Sequence, residues 1–259
     1  MKVKDVMTTD IITIDKDIDL KYVLTLMKKH DITKIPVLEE KQLVGMVTDN
    51  IIAYKLGSIR KKGVPASRLH ASSVTDKNIE CISSDTEVKT ILKKVGQPGP
   101  TMLCITDNKH LLGVITKADL LHLVKSKKPV REIMNKKILT VSPDDRIIHA
   151  RRIMIDEKIA RLPVVDKGRL VGMISDNELA FAFANVKKSF PLGKQKHRLD
   201  EFFVKDVMKT PAIWTRPSTT AKEASSLMLK HNVGALPIIE NDKIIGIISR
   251  TDLLNTISR

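Results

Sequence analysis

Gly246-Ile247-Ile248-Ser249-Arg250-Thr251-Asp252-Leu253-Leu254 decides how this chain is read, because the phrase occurs four times. It returns as Gly113-Val114-Ile115-Thr116-Lys117-Ala118-Asp119-Leu120-Leu121, and more loosely from Gly45 to Ala53 and from Gly172 to Ala180. Each copy reads as the end of a buried strand, a hydroxyl residue at the strand's exit, and a helix that opens on an acid. A hydroxyl and a carboxylate three residues apart at a helix start can cap the helix or hold a ligand there, and the phrase alone leaves both open.

Working outward, the four glycines stand 68, 59 and 74 residues apart. Nine residues before each stands Pro36, Cys104, Pro163 or Pro237, and twenty-nine before the three prolines stand Met7, Met134 and Met208. Spacing this regular, with variation confined to the connectors, marks four copies of one supersecondary unit. Each unit begins with a short apolar run (Ile11 to Ile14, Ile79 to Ile82, Ile138 to Val141, Ala212 to Thr215). A helical face follows in every copy: Leu20, Val23, Met27; Val88, Ile91, Val95; Ile147, Ala150, Met154; Ala221, Ala224, Met228. The expected fold is α+β, four β-α-β-β-α repeats at 1–57, 70–126, 128–186 and 202–259. A unit this small buries too little to stand alone, so units should pair, over 1–126 and 128–259.

Composition narrows the function classes. Hydrophobic residues make up 42% of the chain but aromatics only 3%, so the core must be aliphatic. The start of the chain has no apolar leader and no run is long enough to span a bilayer, which gives a cytoplasmic expectation. Cys81 and Cys104 have neither metal-like nor disulfide-framework spacing. No phosphate loop, dinucleotide fingerprint, nucleophile elbow or metal cluster appears, so an enzyme is not expected. The net charge of +15 is concentrated in two connectors, Lys55 to His70 and Asn185 to Leu199, each with five basic residues and no acid.

The pattern Lys205-Asp206-Val207-Met208, then Gly234-Ala235-Leu236-Pro237-Ile238-Ile239, then Gly246 to Leu254 resembles the CBS (cystathionine-β-synthase) domain, and the resemblance covers nearly the whole chain. CBS domains pair into Bateman modules that bind adenine-containing ligands between repeats, as in the gamma subunit of AMP-activated protein kinase. The resemblance implies that the acid of one repeat meets the ribose while the paired repeat supplies the adenine pocket. Thr116, Ala118 and Asp119 would then work with Ile11, Ile12, Thr33, Lys34 and Pro36. Ser249, Thr251 and Asp252 would work with Ile138, Leu139, Ala160, Arg161 and Pro163. Ser175 and Glu178 would face Ala212, Ile213, Gly234, Ala235 and Pro237. A fourth cleft, with Ile51 for the acid and Cys104 for the proline, lacks both halves of the pattern. His30, Lys158 and His231 join Lys34 and Arg161 as candidate phosphate partners. Trp214, in the first strand of the fourth unit, reads as a core residue, with a ring beside an adenine as the alternative.

These readings make the chain a non-catalytic regulatory sensor of AMP, ADP or ATP, acting on a regulated protein through rearrangement of its modules. Two alternatives stand beside it. One is S-adenosylmethionine binding; the other is nucleic-acid binding through Arg60, Lys61, Lys62, Lys187, Lys188, Lys194, Lys196 and Arg198. A second copy of the chain is an expected partner and a membrane is not.

Overall fold

In the computed structural model, which describes residues 1–56, 69–97, 102–108, 110–189 and 201–257, each repeat is built on an antiparallel pair formed by the proline strand and the glycine strand. In repeat 1 these are β2 (Lys34–Glu39) and β3 (Gln42–Thr48), with β1 (Ile14–Asp15) added parallel to β2. In repeat 2, β5 (Met102–Asp107) pairs with β6 (His110–Thr116), and β4 (Cys81–Ile82) is added parallel to β5. Repeats 3 and 4 contain β7 (Arg161–Asp166) with β8 (Arg169–Ser175) and β9 (Ala235–Glu240) with β10 (Lys243–Ser249).

The helices fall where the apolar spacing places them. The first helix of each repeat is α1 (Leu20–His30), α4 (Val88–Val95), α6 (Ile147–Asp156) or the later α8 (Ala221–Lys230), and each buries the aliphatic stripe named above. Asp19 caps α1 by accepting the Tyr22 N–H, and Thr220 with Glu223 forms a reciprocal cap on α8. The second helices are unequal. Repeats 1 and 3 have α2 (Asp49–Leu56) and α7 (Asp176–Ser189), whereas repeats 2 and 4 have only α5 (Lys117–Leu120) and α9 (Arg250–Leu254). A short helix, α3 (Ala71–Val74), lies in the connector between repeats 1 and 2.

The first strand of each repeat is shorter than its apolar run. It contracts to two residues in repeats 1 and 2, and to single parallel bridges, Val141 to Val164 and Thr215 to Ile238, in repeats 3 and 4. The reason is that the segment before it crosses to the other repeat of its pair. Thr8 exchanges backbone hydrogen bonds with Val114, and Val3 N–H donates to the Thr86 carbonyl, so the beginning of repeat 1 is docked on repeat 2. Residues such as Ile11 and Ile12 run between two repeats and join neither ladder. The same exchange links Met46 with Asp76, Asn135 with Ile247 and Met173 with Lys209.

This exchange explains the two recurrent residues of the sequence. A Cβ at Gly113 would lie 2.6 Å from the Met7 sulfur, one at Gly246 2.3 Å from that of Met134, and one at Gly172 2.8 Å from that of Met208. Methionine from one repeat therefore packs on bare backbone of its partner, an approach that only glycine permits.

Repeats 1 with 2 and 3 with 4 form the two Bateman modules, joined along their glycine strands; Met46, Cys104 and Val114 form a small apolar seam in the first. The large cores run the other way. One combines repeats 1 and 3, with α2 against α7 and Phe183 fully buried between them; the second combines repeats 2 and 4. The Arg151 guanidinium reinforces the first by donating to the carbonyls of Ala53 at 3.2 Å and Tyr54 at 2.7 Å. Each hydrophobic core is thus shared between modules, so neither module has a complete core of its own.

Trp214 is not a core residue. Alternation along its segment turns Ile213 inward and leaves Trp214 43% exposed, lining a recess of about 870 Å³ with Lys127, Arg131 and Arg216 at the outer edge of repeat 4. No helix among the described residues is long and apolar enough to cross a membrane.

Candidate functional site

The hydroxyl and the acid of the phrase bond to each other at the helix start in three repeats, as a reciprocal cap in repeats 2 and 4. Thr116 donates both its N–H (2.6 Å) and its hydroxyl (2.7 Å) to Asp119 Oδ2, and Ser249 does the same to Asp252 Oδ2 at 2.7 and 2.6 Å. Ser175 N–H donates to Glu178 Oε2 at 2.9 Å, and the Ser175 hydroxyl reaches the same oxygen. In repeat 1 Thr48 caps alone, accepting the Ile51 N–H at 3.2 Å. Capping thus occupies one carboxylate oxygen in each acid and leaves the other outside the cap.

That second oxygen distinguishes the clefts. Asp119 Oδ1 accepts the Thr8 hydroxyl at 2.8 Å, so the leading segment of repeat 1 touches the acid of repeat 2. Glu178 Oε1 lies 3.5 Å from Lys209 Nζ, from the leading segment of repeat 4. Asp252 Oδ1 has no hydrogen-bond donor among the described residues, although the Asn135–Ile247 bridge brings the leading segment of repeat 3 alongside. The structure therefore sets Thr116, Ala118 and Asp119 beside the segment leading to Ile11 and Ile12. It likewise sets Ser249 and Asp252 beside that leading to Ile138 and Leu139, and Ser175 and Glu178 beside that leading to Ala212 and Ile213. Pro36, Pro163 and Pro237 are buried in mid-strand, with Ala235 at the head of β9.

The loops before the proline strands are fastened to the helix starts of their own repeats. Thr33, Ala160 and Gly234 accept, through their carbonyls, the N–H groups of Asp49 (2.9 Å), Asp176 (3.1 Å) and Arg250 (3.2 Å). In repeats 1, 3 and 4 this holds the start of the proline strand against the start of the second helix, near where the repeats meet. Four cations, one from each repeat, meet there: Lys34, Lys117, Arg161 and Arg250 lie close enough to repel one another in every pairing.

Lys117 donates to the Thr251 hydroxyl of the other module at 2.7 Å and to the Gln97 carbonyl at 2.6 Å. Arg250 donates to the Val233 carbonyl and to Asn232 Oδ1, both at 3.2 Å. Lys34 and Arg161, at equivalent positions in repeats 1 and 3, make neither a side-chain hydrogen bond nor an ion pair among the described residues. The Arg161 guanidinium instead lies on Gly234, where an added Cβ would come within 2.5 Å of its nitrogens.

Burial dominates the electrostatics. It lowers the pKa of Lys34 against the pull of Asp49, and that of Arg161 against the pull of Asp49, Asp176 and Glu178; it also brings Lys117 down to about 8 and Arg250 to about 10, where neighbouring cations add to the effect. Burial likewise raises Asp49, and lifts Asp176 to about 6 against the opposing effect of the Asn50 amide, which donates to it from the other module at 2.9 Å. Asn232 bridges modules too, donating to the carbonyl and carboxylate of Asp31 at 3.0 and 2.7 Å. His30 and His231 flank this last contact as exposed residues at the ends of α1 and α8, without a described side-chain bond. Sequence reading missed Lys117, Arg250, Asp49 and Asp176. Their signal was present: the residue after each capping hydroxyl is always charged.

A family model for the CBS domain matches residues 3–57, 71–126, 130–185 and 204–259. The chain belongs to the CBS-domain family. It is 24% identical to the uncharacterized protein MJ1225 of Methanocaldococcus jannaschii over 94% of both chains. The crystal structure of MJ1225, proposed to be an archaeal homologue of g-AMPK, superposes with a TM-score of 0.84 at 20% identity, covering 99% of both chains. The uncharacterized protein MJ1404 of the same organism is 26% identical over 99% of this chain, which spans 62% of that relative's length. An inosine-5'-monophosphate dehydrogenase, again from that organism, is 32% identical over 55% of this chain but matched over only 27% of its own length, so its activity does not transfer.

Proposed function

We propose that this CBS-domain protein is a non-catalytic regulatory sensor that binds phosphorylated adenosine (AMP, ADP or ATP) in the clefts between paired repeats. The observation that carries this reading is the central set of cations, above all Lys34 and Arg161. These half-buried charges make no side-chain hydrogen bond or ion pair among the described residues, although Asp49 attracts both and Asp176 and Glu178 attract Arg161 from farther off. The nearby carboxylates do not offset the burial, which still lowers the pKa of both groups, and a phosphate arriving there relieves it with charge-assisted hydrogen bonds. S-adenosylmethionine carries no phosphate, and its one carboxylate is outweighed by its ammonium and sulfonium charges, so it would relieve these cations less.

In this reading the ribose hydroxyls of a bound nucleotide donate to the cleft-facing oxygen of Asp252, and to that of Asp119 after displacing Thr8. The adenine lies between the proline strand and the leading segment, against Ile138, Leu139 and Pro163 or Ile11, Ile12 and Pro36. The phosphates reach Lys34, Lys117, Arg161 and Arg250. The cores shared between modules restrict the response to small shifts in the contacts at the centre: Lys117 with Thr251, Asn50 with Asp176, and Asn232 with Asp31. A ligand that binds one arrangement of these contacts more tightly shifts the population toward it, and the regulated partner reads the exposed surface that changes with it.

Thermal unfolding with AMP, ATP, adenosine and S-adenosylmethionine tests the reading. A ligand at 100 times its Kd adds about 2.7 kcal/mol per site, so AMP or ATP should raise Tm by several degrees. Stabilisation by S-adenosylmethionine alone would refute it. The basic connectors, with Arg60, Lys61, Lys62, Lys194, Lys196 and Arg198 and the side chains of Lys187 and Lys188, lie outside the described residues.

A further inference from the structure

The chain's two cysteines fall on a single structural feature. β4 runs parallel to β5, and in that pairing Cys81 is the register partner of Cys104. Parallel neighbours are about 4.7–4.9 Å apart and partners in register point to the same face, which satisfies the Cα separation of roughly 4.4–6.8 Å that a disulfide requires. Cys81 is exposed and Cys104 is buried, so one thiol can be reached from solvent while the second waits behind it. β4 is only two residues long and sits at the sheet edge, where it can move the small distance that bond formation needs.

We propose that Cys81 and Cys104 form a reversible thiol–disulfide pair that is oxidised by low-molecular-weight disulfides. The Cys81 thiolate attacks one sulfur of the reagent RSSR, forms the mixed disulfide Cys81–S–S–R and expels RS⁻. Cys104, as its thiolate, then attacks the Cys81 sulfur, forms the Cys81–Cys104 bond and expels a second RS⁻. The two thiol protons pass to the two thiolates released, so two protein thiols are oxidised and one RSSR is reduced to two RSH. The order follows from exposure, and it agrees with the Cys104 thiol being pushed up to about 12, by burial first and by Cys81 second. The second step is therefore the slow one.

The location gives this bond a consequence. Cys104 occupies the place in β5 that Pro36, Pro163 and Pro237 hold in the other repeats, and it packs with Met46 and Val114 at the seam of the first module. Oxidation would pin the Ile79–Ile82 segment to β5 beside the cleft that contains Ile51. The pair needs no ligand in any cleft, so it stands apart from the function proposed above.

The test uses the full-length native protein, reduced, freed of reductant and held for several hours at mildly alkaline pH with oxidised glutathione. It is then unfolded, alkylated and measured by intact and peptide mass spectrometry. The expected product has lost two hydrogens, carries no glutathione or alkyl group, yields a Cys81–Cys104 linked peptide, and regains both thiols with dithiothreitol. In Cys104→Ala, glutathione should remain on Cys81. Persistent glutathione on wild-type Cys81, a Cys81–Cys81 dimer, or two thiols still open to alkylation would each overturn the proposal.

Discussion

Changing Asp176 to Asn should make the ligand-free protein more stable near neutral pH. Asp176 is 7% exposed at the start of α7, and burial lifts its pKa from 3.8 to about 6 even though Asn50 donates to it. A carboxyl whose folded pKa is raised binds more protons folded than unfolded, so its penalty is absent below pH 4, grows between pH 4 and 6, and is complete above that. A shift of about two units corresponds to about 3 kcal/mol at most, and Asn removes that penalty while still accepting the Asn50 hydrogen bond through its amide oxygen. Urea unfolding of wild type and variant should show a gain of about 1–3 kcal/mol at pH 7.5 that disappears by pH 4. A variant no more stable than wild type at pH 7.5, or a difference that does not change with pH, would refute the reasoning.

Three further expectations follow from the packing and the charges. Gly113→Ala forces a methyl group against the Met7 sulfur and the Thr8 carbonyl and should cost about 1–3 kcal/mol in denaturant unfolding, with loss of the pairing between repeats 1 and 2. Phe183→Ala empties the core shared by repeats 1 and 3 and should cost about 3–5 kcal/mol in a single cooperative transition; two separate transitions would show that the modules fold independently. Because Lys117 titrates near pH 8, AMP affinity measured by calorimetry should fall as pH rises through 8 to 9, and Lys117→Gln should flatten that profile.

Much of the fold was legible because it is repeated. The four glycines, three methionines and four helical stripes state the unit, and all four stripes are buried as read. What a repeat cannot state is which copy its surfaces meet. Met7 and Gly113 each look like local packing residues, yet they pack on one another because the leading segment crosses between repeats. That crossing also explains why the first strands contract, since a segment bridging two sheets cannot extend the edge of either. The apolar runs gave no warning of cores shared across modules, because a buried helical face reads the same whichever partner covers it. Trp214 misled for a similar reason: hydrophobicity favoured the core, while alternation with Ile213 turned it outward.

The site was legible in part. The family resemblance named Lys34, Arg161, Asp119 and Asp252. The structure adds that the first two belong to a cluster completed by Lys117 and Arg250 from the other two repeats. The acids proved ambiguous for a physical reason, because one oxygen of each closes a helix cap and only the other is left for a further partner.

The most direct test of the central claim is the ratio of AMP to adenosine affinity, measured by calorimetry in the wild type and in a Lys34→Gln, Arg161→Gln double variant. Charge-assisted hydrogen bonds contribute about 1.5–3 kcal/mol each, so AMP should bind the wild type at least about tenfold more tightly than adenosine. In the double variant that preference should collapse while adenosine binding persists. Equal affinity of the wild type for AMP and adenosine, or a preference that survives both substitutions, would contradict the assignment of the central cations to phosphate.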